Sequence, residues 1–282
     1  MHFKEFVNSE LINHPHFLLI GNPVEHSISP MMHGVALKHH GIDVNYIAIS
    51  VEFSELHLLA SHFNKPEFLG ANITIPYKMD LIPYMDELSS TAQLIGAINT
   101  IVKFDTKLYG DNTDAHGFKV PLMHYTDLAT DRAIIFGSGG ATKAIIFALN
   151  DFGFNEVCIV TRKQNISVDQ PNLIVCSYDS WPHFIEEATL IINATPLGMA
   201  PNFDSSPVKD YEIDYLSGKL CYDIVYNPRE TKFLIQAKNA GGIPLGGLDM
   251  LIYQGDESFY KWTNKRFPIS LVKTKLNELF SI

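Results

Sequence analysis

The chain has 282 residues, of which 46% are hydrophobic and 18% are charged. This apolar content is enough for well-filled cores and excludes a chain that is disordered throughout. The 31 acidic and 21 basic residues give a formal net charge of -10, which disfavours nucleic acid as the main partner.

No apolar run approaches the length of about 18 residues that a membrane span requires. The first segment, MHFKEFVNSE, contains acidic residues and no small-residue cleavage pattern, so we expect no secretory signal and a cytoplasmic location. Three cysteines, Cys158, Cys176 and Cys221, lie far apart inside apolar runs. Buried thiols are the prediction, and neither a disulfide framework nor a metal site is expected.

Strand-like apolar runs alternate with segments of helical periodicity, a pattern typical of α/β proteins with largely parallel sheets. In the first part of the chain, the predicted strands cover residues 16–21, 44–50, 68–75 and 99–104. The predicted helices there cover residues 29–37, 56–63 and 91–95. The first helix has a start signal, because Ser29 is a good N-cap residue and Pro30 suits the first helical position.

A second α/β part begins near Arg132, with a short strand at 133–136, a glycine turn and a helix at 141–149. Further strands are predicted at residues 157–161, 173–176, 190–194, 220–225 and 242–245, and the pattern is helical after Gly247. We therefore predict two α/β domains that join near residues 111–118, at the end of a strand.

The glycine turn has the sequence Gly137-Ser138-Gly139-Gly140 between a strand and a helix. Its backbone N–H groups and the positive end of the helix can hold a pyrophosphate. Thr142 stands where the usual fingerprint has its third glycine, so the match is partial, and a tight turn without a ligand is the alternative. A second strand that ends about 20 residues later favours the dinucleotide site.

That second strand ends in Thr161-Arg162-Lys163, with two cations and no acid. An acid at this point would accept hydrogen bonds from the ribose 2′-hydroxyl of NAD, whereas a cation accommodates the 2′-phosphate of NADP. An arginine can also pair with phosphate through two parallel hydrogen bonds. The pattern favours NADP over the alternative of an ordinary solvated charge pair.

Ser27 and Ser29, with one residue between them, lie at the start of a predicted helix. Two hydroxyls beside free backbone N–H groups can bind a small carboxylate, although Ser29 could also serve only as the helix cap. The nearby His26 and His33 are predicted to pack or hydrogen-bond locally.

Lys78 and Asp114 each follow the end of a predicted strand, where open α/β sheets bind ligands. Most lysines and aspartates are simply surface charges. Brought together at such an edge, this pair could pass a proton to and from a hydroxyl during its oxidation, which is general acid–base catalysis.

Taken together, these motifs resemble the shikimate dehydrogenase family, including its quinate/shikimate relatives. Matching segments occur in order along nearly the whole chain, at residues 26–30, 72–78, 96–100, 110–114, 137–141, 193–199, 223–228 and 247–251, the last leading to Gln254. The resemblance implies NADP-linked interconversion of 3-dehydroshikimate and shikimate, a step of chorismate and aromatic amino-acid biosynthesis.

The resemblance also implies the domain organisation. Residues 1–114 and 248–282 would form an α/β substrate-binding domain with a mostly parallel sheet, to which the C-terminal helices return. Residues 115–247 would form a Rossmann-type NADP-binding domain. The expected partner is a small-molecule substrate, in a monomer or homodimer, with no nucleic acid, membrane or metal.

Site residues follow from the same resemblance. Ser27 and Ser29 would hold the substrate carboxylate, and Lys78 and Asp114 would form the catalytic pair. The side chains expected around the substrate ring are Thr74, Asn99, Tyr226 and Gln254. The residues expected around the cofactor are Gly137, Ser138, Gly139, Gly140, Ala141, Thr161, Arg162, Lys163, Asn193, Ala194, Thr195, Met199 and Gly247.

Three positions depart from the family pattern: Gly34 where asparagine is frequent, Ser138 where alanine is usual, and Thr161 where asparagine is common. Two other functions stay open. One is a quinate/shikimate dehydrogenase with broader substrate or NAD use, although such relatives often carry threonine at the position of Ser29 and an acid near Arg162. The other is a ligand-sensing homologue without turnover, which the presence of Lys78 and Asp114 disfavours.

Overall fold

The computed structural model describes residues 1–163 and 171–280. The chain divides into two compact units: the first consists of Met1–Thr113 with Ile252–Ile282, and the second of Asp114–Leu251. The sequence prediction places the corresponding boundaries at residues 114/115 and 247/248. The C-terminal segment therefore belongs to the same unit as the N-terminal one.

The elements follow each other in α/β fashion. The helices are α1 (Phe3–Val7), α2 (Ser29–His39), α3 (Leu56–His62), α4 (Ser90–Ile95), α5 (Asp114–Leu122), α6 (Gly140–Phe152), α7 (Lys232–Asn239), α8 (Leu248–Thr263) and α9 (Ile269–Phe280). The strands are β1 (His16–Gly21), β2 (Asn45–Ser50), β3 (Phe68–Ile73), β4 (Glu87–Leu88), β5 (Thr100–Phe104), β6 (Lys107–Asp111), β7 (Arg132–Phe136), β8 (Glu156–Val160), β9 (Leu173–Cys176), β10 (Ala188–Asn193), β11 (Leu220–Asp223) and β12 (Ile243–Leu245).

The sheet of the first unit has the strand order β2-β1-β3-β5-β6-β4. β1 runs parallel to both of its neighbours, whereas β5 runs antiparallel to β3 and β6. All six residues of β1 are buried, as expected for a strand covered on both faces. Because β5 is reversed, its first residue lies at the same edge as the last residues of β1, β3 and β6.

The sheet of the second unit has the order β12-β11-β10-β7-β8-β9, and every pair of neighbours is parallel. Counted within this unit, the strand order is 3-2-1-4-5-6, that of the doubly wound dinucleotide-binding fold. The order reverses between β7 and β10, and ligands of such sheets bind outside the carboxyl ends of the strands at this switch point. The predicted fold class, α/β with two mostly parallel sheets, is confirmed.

The cysteines are free thiols. Cys158 and Cys221 are buried, as predicted, whereas Cys176 on the edge strand β9 is partly exposed. The sulfur atoms of Cys158 and Cys176 lie 3.2 Å apart, on neighbouring strands.

Burial disfavours the charged form of three histidines of the first unit. His16 Nδ1 donates to His14 O at 2.7 Å, so its Nε2 accepts the hydrogen bond from His62 Nε2 at 2.9 Å. Burial lowers the pKa of His16, and burial with the nearby His16 lowers the pKa of His62 to about 4. His33 stacks on Tyr46 at 4.2 Å, and burial lowers its pKa to about 3.

We predict that acid destabilises the protein in part through these histidines. In the unfolded chain they take up protons near their ordinary pKa of 6.5, whereas the folded chain resists protonation to lower pH. The free energy of unfolding therefore falls as the pH drops below 6.5, and His33 alone contributes up to about 1.4 kcal/mol per pH unit until its folded pKa of about 3 is reached.

His33→Phe isolates one of these contributions. The variant retains the aromatic stack on Tyr46 and removes two buried ring nitrogens that have no hydrogen-bond partner among the described residues. The free energy of unfolding, measured with urea between about pH 7 and pH 5, should depend less steeply on pH than in the wild type. The difference in slope corresponds to about one proton at the lower end of this range. An unchanged slope would contradict the assignment to His33.

Candidate active site

Polar side chains collect at one edge of the sheet of the first unit. The end of β1 and the end of β3 are joined there by backbone hydrogen bonds from Thr74 N to Ile20 O, at 2.8 Å, and from Asn22 N to Ile75 O, at 3.0 Å. The Ser27–Ser29 segment follows β1, and Thr74 and Lys78 follow β3. Parallel neighbouring strands thus bring these predicted substrate-binding residues and the predicted catalytic lysine to the same edge.

The prediction that Ser29 is the N-cap of α2 is wrong. The helix begins at Ser29, with Ile28 as N-cap and Pro30 as its second residue. Ser27 Oγ accepts a hydrogen bond from Ser29 N at 3.3 Å, so the first of the two serines partners the start of the helix. The Ser29 side chain is therefore not needed as the N-cap, although it is largely buried.

Lys78 lies in the turn that follows β3 and is half-buried. Two contacts hold this turn: Tyr77 Oη donates to Val51 O at 2.5 Å, and Ile98 N donates to Lys78 O at 2.8 Å. The second contact joins Lys78 to the segment that leads directly into Asn99. The backbone of the predicted catalytic lysine is thus fixed beside a predicted substrate residue.

Asn99 is at the centre of a buried hydrogen-bond network. Its Oδ1 accepts from Thr113 N at 2.7 Å and from Thr100 Oγ1 at 2.9 Å. Its Nδ2 donates to Thr113 Oγ1 at 2.9 Å and to Gln254 Oε1 at 3.3 Å. The structure therefore brings together two predicted substrate side chains, Asn99 and Gln254, that are 155 positions apart.

Ser258 is a residue of this network that the sequence analysis missed. It is fully buried on α8, one helical turn after Gln254. Its Oγ lies 2.9 Å from Asn72 Nδ2, 2.8 Å from Thr100 Oγ1 and 3.0 Å from Thr113 Oγ1. The i, i+4 spacing from Gln254 is the only sequence signal that could have indicated it.

Asp114 is the first residue of α5 and directly follows Thr113, whose backbone and hydroxyl bind Asn99. The carboxylate is largely buried. An acidic side chain in the first turn is favoured by the positive end of the helix. The network around Asn99 thus fixes the backbone immediately before the predicted catalytic aspartate.

The switch point of the second unit carries the glycine turn. Gly137 has φ of +110°, and a Cβ atom there would be 2.9 Å from the carbonyl oxygen of Ala194, so only glycine fits. Gly139 is the N-cap of α6 and has no side chain to cap the helix. A Cβ atom at Gly139 or Gly140 would meet nothing within 4 Å, so the turn faces open space.

Next to the turn lies the Asn193 loop, which we define as residues 193–199. It follows β10, the strand beside β7 at the switch point. Asn193 Oδ1 accepts from Thr195 N at 3.0 Å and from Thr195 Oγ1 at 2.6 Å, and Asn193 is fully buried. The loop contains four of the predicted cofactor residues, and of these Met199 is 48% exposed.

Arg162 and Lys163 are exposed beyond the end of β8. Thr161 Oγ1 accepts from Lys163 N at 3.1 Å, which gives this segment a defined turn. The two cations are thus presented one strand away from the glycine turn, as a 2′-phosphate site requires.

The remaining predicted residues of the second unit, Tyr226 and Gly247, line one pocket together with Arg229, Leu245, Gly246, Leu248 and Asp249. A Cβ atom on Gly247 would collide with the carbonyl group of Ile224, so the backbone there approaches very closely. Burial raises the pKa of Tyr226, which therefore remains a neutral hydroxyl able to donate a hydrogen bond.

Within residues 1–163 and 171–280, no group of three or more His, Cys, Asp or Glu side chains is placed to hold a metal ion. Among the described residues, no helix is both long enough and apolar enough to cross a membrane.

Comparison with known proteins addresses the identity of the chain. Residues 19–101 match the family described as the shikimate dehydrogenase substrate binding domain, and residues 247–276 match the shikimate 5'-dehydrogenase C-terminal domain. A shikimate dehydrogenase (NADP(+)) of Crocosphaera subtropica is 36% identical over 276 residues, covering 93% of this chain and 96% of that protein. The chain belongs to the shikimate dehydrogenase family.

Solved structures of shikimate dehydrogenases have the same fold. One, in complex with NADP+, is 33% identical and has a TM-score of 0.86, covering 95% of this chain and 96% of that chain. Another, from Thermus thermophilus in complex with NADP(H) and shikimate, is 30% identical and has a TM-score of 0.79, covering 92% and 97% of the two chains.

Two of the three departures from the shikimate dehydrogenase pattern contact each other. Ser138 Oγ and Thr161 Oγ1 are 3.0 Å apart, so a hydroxyl pair links the glycine turn to the Arg162 segment. Relative to the family pattern, the shorter threonine in place of asparagine at position 161 is thus accompanied by a hydroxyl at position 138, where alanine is usual. The third departure, Gly34, lies inside α2 with open space where a side chain would be.

The residues of the second unit fit the NADP of the shikimate dehydrogenase family. The glycine turn leaves room for a pyrophosphate beside the start of α6. Arg162 and Lys163 supply positive charge where the 2′-phosphate is expected, and no acid occupies positions 161–163.

Proposed function

We propose that this chain is an NADP-dependent shikimate dehydrogenase, which reversibly reduces 3-dehydroshikimate to shikimate. The observation that carries the proposal is the switch point of the second unit, in a chain of this family. There an open glycine turn follows β7, and the two cations Arg162 and Lys163 follow β8. The reaction is a hydride transfer between a secondary alcohol and nicotinamide, in which the protein orients the reactants and manages one proton.

Residues 1–114 and 248–282 bind the substrate in this proposal. Ser27 and Ser29 hold its carboxylate without a formal counter-charge, as hydrogen-bond donors. Thr74, Asn99 and Gln254 hold the ring substituents, and Tyr226, which belongs to residues 115–247, contributes to the same role. The network of Asn99 with Thr113 and Gln254 supports this role, because a side-chain amide fixed on several sides presents a defined orientation to a ligand.

Lys78 and Asp114 manage the proton of the hydroxyl that is oxidised. In the direction from shikimate, the O–H proton passes to this pair, and the carbon that bears this hydroxyl transfers a hydride to the nicotinamide. In the reverse direction the pair returns the proton to the carbonyl oxygen. This is general acid–base catalysis, which typically contributes about 10²–10⁴-fold.

Residues 115–247 bind NADP. The backbone of Gly137, Ser138, Gly139, Gly140 and Ala141 holds the pyrophosphate, and Thr161, Arg162 and Lys163 hold the adenosine side with its 2′-phosphate. The residues placed near the ribose and nicotinamide are Asn193, Ala194, Thr195, Met199 and Gly247. Bound NADP supplies the hydride-accepting ring. We place the enzyme in the cytoplasm, as a monomer or homodimer.

The function is tested by initial rates with shikimate and quinate, each with NADP+ and NAD+, followed by the absorbance of the reduced nicotinamide. Of the four combinations, only shikimate with NADP+ is expected to give fast turnover. Comparable rates with quinate or NAD+ would instead assign the chain to the broader quinate/shikimate enzymes. Binding of both ligands without turnover would make it a ligand-sensing homologue.

Lys78→Ala should lower the turnover number with shikimate by about 10²-fold or more, because the proton-handling group is lost. Initial rates at saturating substrates measure the effect, and circular dichroism checks the fold. Lys107→Ala is a matched control: Lys107 pairs with Glu87 on the surface, at the other end of β6 from the site. Near-normal turnover of a folded Lys78→Ala protein would remove the lysine from the mechanism.

Arg162→Ala should weaken the binding of NADP+ far more than that of NAD+, because only NADP+ carries the 2′-phosphate. Titration calorimetry with each cofactor measures the ratio of dissociation constants. Arg266→Ala, which removes an arginine paired with Asp256 and Glu257 in the first unit, should leave the ratio unchanged. Equal weakening of both cofactors by Arg162→Ala would refute the 2′-phosphate role.

A further inference from the structure

Asp223 is a fully buried carboxylate at the end of β11. Its Oδ1 accepts from Asn193 Nδ2 at 3.0 Å and from Val225 N at 2.9 Å, and its Oδ2 accepts from Thr231 Oγ1 at 2.5 Å. Burial raises its pKa to about 6 despite these three donors. A side chain that is costly to bury in ionised form is thus retained at the carboxyl end of the sheet.

One of these hydrogen bonds helps to determine which way the Asn193 amide points. A carboxylate can only accept, so the NH₂ group of Asn193 must face Asp223, and the same group also donates to Leu197 O at 3.1 Å. The amide oxygen is thereby directed at Thr195, where it accepts two hydrogen bonds. With an apolar residue at position 223, the NH₂ group would keep Leu197 O as its acceptor and lose the charged partner that reinforces this orientation.

The orientation of this amide matters for the whole Asn193 loop. Thr195 Oγ1, held by Asn193, accepts in turn from Leu197 N at 3.2 Å. Ala194, between them, donates to Phe136 O at 2.9 Å, and its carbonyl group lies directly against Gly137. The loop is therefore one wall of the glycine turn, and its shape follows from Asn193.

We propose that Asp223 is a positioning residue for cofactor binding: through Asn193 it fixes the Asn193 loop in the conformation that receives NADP. Asp223 itself is fully buried, so in this proposal it acts through Asn193 rather than by contact with the cofactor. The inference rests on the proposed function, because it concerns the same cofactor site. The proposal assigns a role to a buried residue of β11, the strand that pairs with β10 and thus lies beside the Asn193 loop.

The test compares Asp223→Ala with Asp223→Asn. The alanine variant removes the acceptor for Asn193, whereas the asparagine variant retains an amide oxygen that can take its place. We expect Asp223→Ala to raise the dissociation constant of NADP+ about tenfold or more, with the KM for shikimate within about twofold of the wild type. Asp223→Asn should bind NADP+ within about threefold of the wild type. Titration calorimetry and initial rates supply the two readouts.

Gln236→Ala is the control for general loosening of the second unit. Gln236 is also buried and makes three side-chain hydrogen bonds, with Ser206, Val208 and Asp210. Its loss should lower stability and leave NADP+ affinity near the wild-type value. If Gln236→Ala weakens NADP+ as much as Asp223→Ala does, or if Asp223→Ala affects shikimate and NADP+ alike, the positioning role is overturned.

A second pair of variants keeps the proposal testable if Asp223→Ala does not fold. Asn193→Asp places two carboxylates against each other and should weaken NADP+ binding. In the double variant with Asp223→Asn, the amide NH₂ group at position 223 can donate to the carboxylate at position 193. Part of the NADP+ affinity should therefore be recovered. Equal NADP+ affinities in the single and double variants would overturn the proposal.

The outcome for the wild type separates this inference from the proposed function. A folded wild-type protein that does not bind NADP+ refutes the proposed function. A wild-type protein that binds NADP+, with Asp223→Ala binding it equally well, refutes only the role of Asp223.

Discussion

The end of a buried strand is the constraint on which both candidate sites depend. Where a strand stops, its neighbours no longer supply backbone partners, yet buried polar groups still need hydrogen bonds. The first unit meets this need with side chains, through Asn99, Thr113 and Ser258. The second unit meets it with Asn193 and Asp223. In both units the residues that complete the strand ends lie at or beside the proposed ligand sites.

Local pattern predicted most of the fold, because buried parallel strands are continuous apolar runs and glycine marks the turns between them. β7, the glycine turn and α6 follow from such signals, as does the position of β9. β6 received no bounds from the sequence, which indicated only that a strand ends near residue 111, because β6 is short, contains Gly110 and is only partly buried. It pairs with β5 through the two-residue hairpin loop Asp105-Thr106, which lacks the Asn-Gly or Asp-Gly pair that marks such hairpins in a sequence.

The residues at strand ends could be named from sequence because motifs mark them, but the residues that hold them could not. Ser258 is 145 positions from Thr113, and Asp223 is 30 positions from Asn193. Such partners are chosen by the packing of the finished unit. The start of α2 differs for a similar reason, since Ser27 rather than Ser29 provides the hydroxyl that meets the helix backbone.

The division of the chain has a consequence for biosynthesis. The second unit is one continuous stretch, Asp114–Leu251, whereas the first is interrupted by it. A polypeptide leaves the ribosome from its N-terminus, and domains generally fold as units. The second unit can therefore be complete while the first still lacks the part of α8 that begins at Ile252. Asn72, Thr100 and Thr113 must remain without Ser258 until the whole second unit has been synthesised, so the buried network of the first unit is completed only after that point.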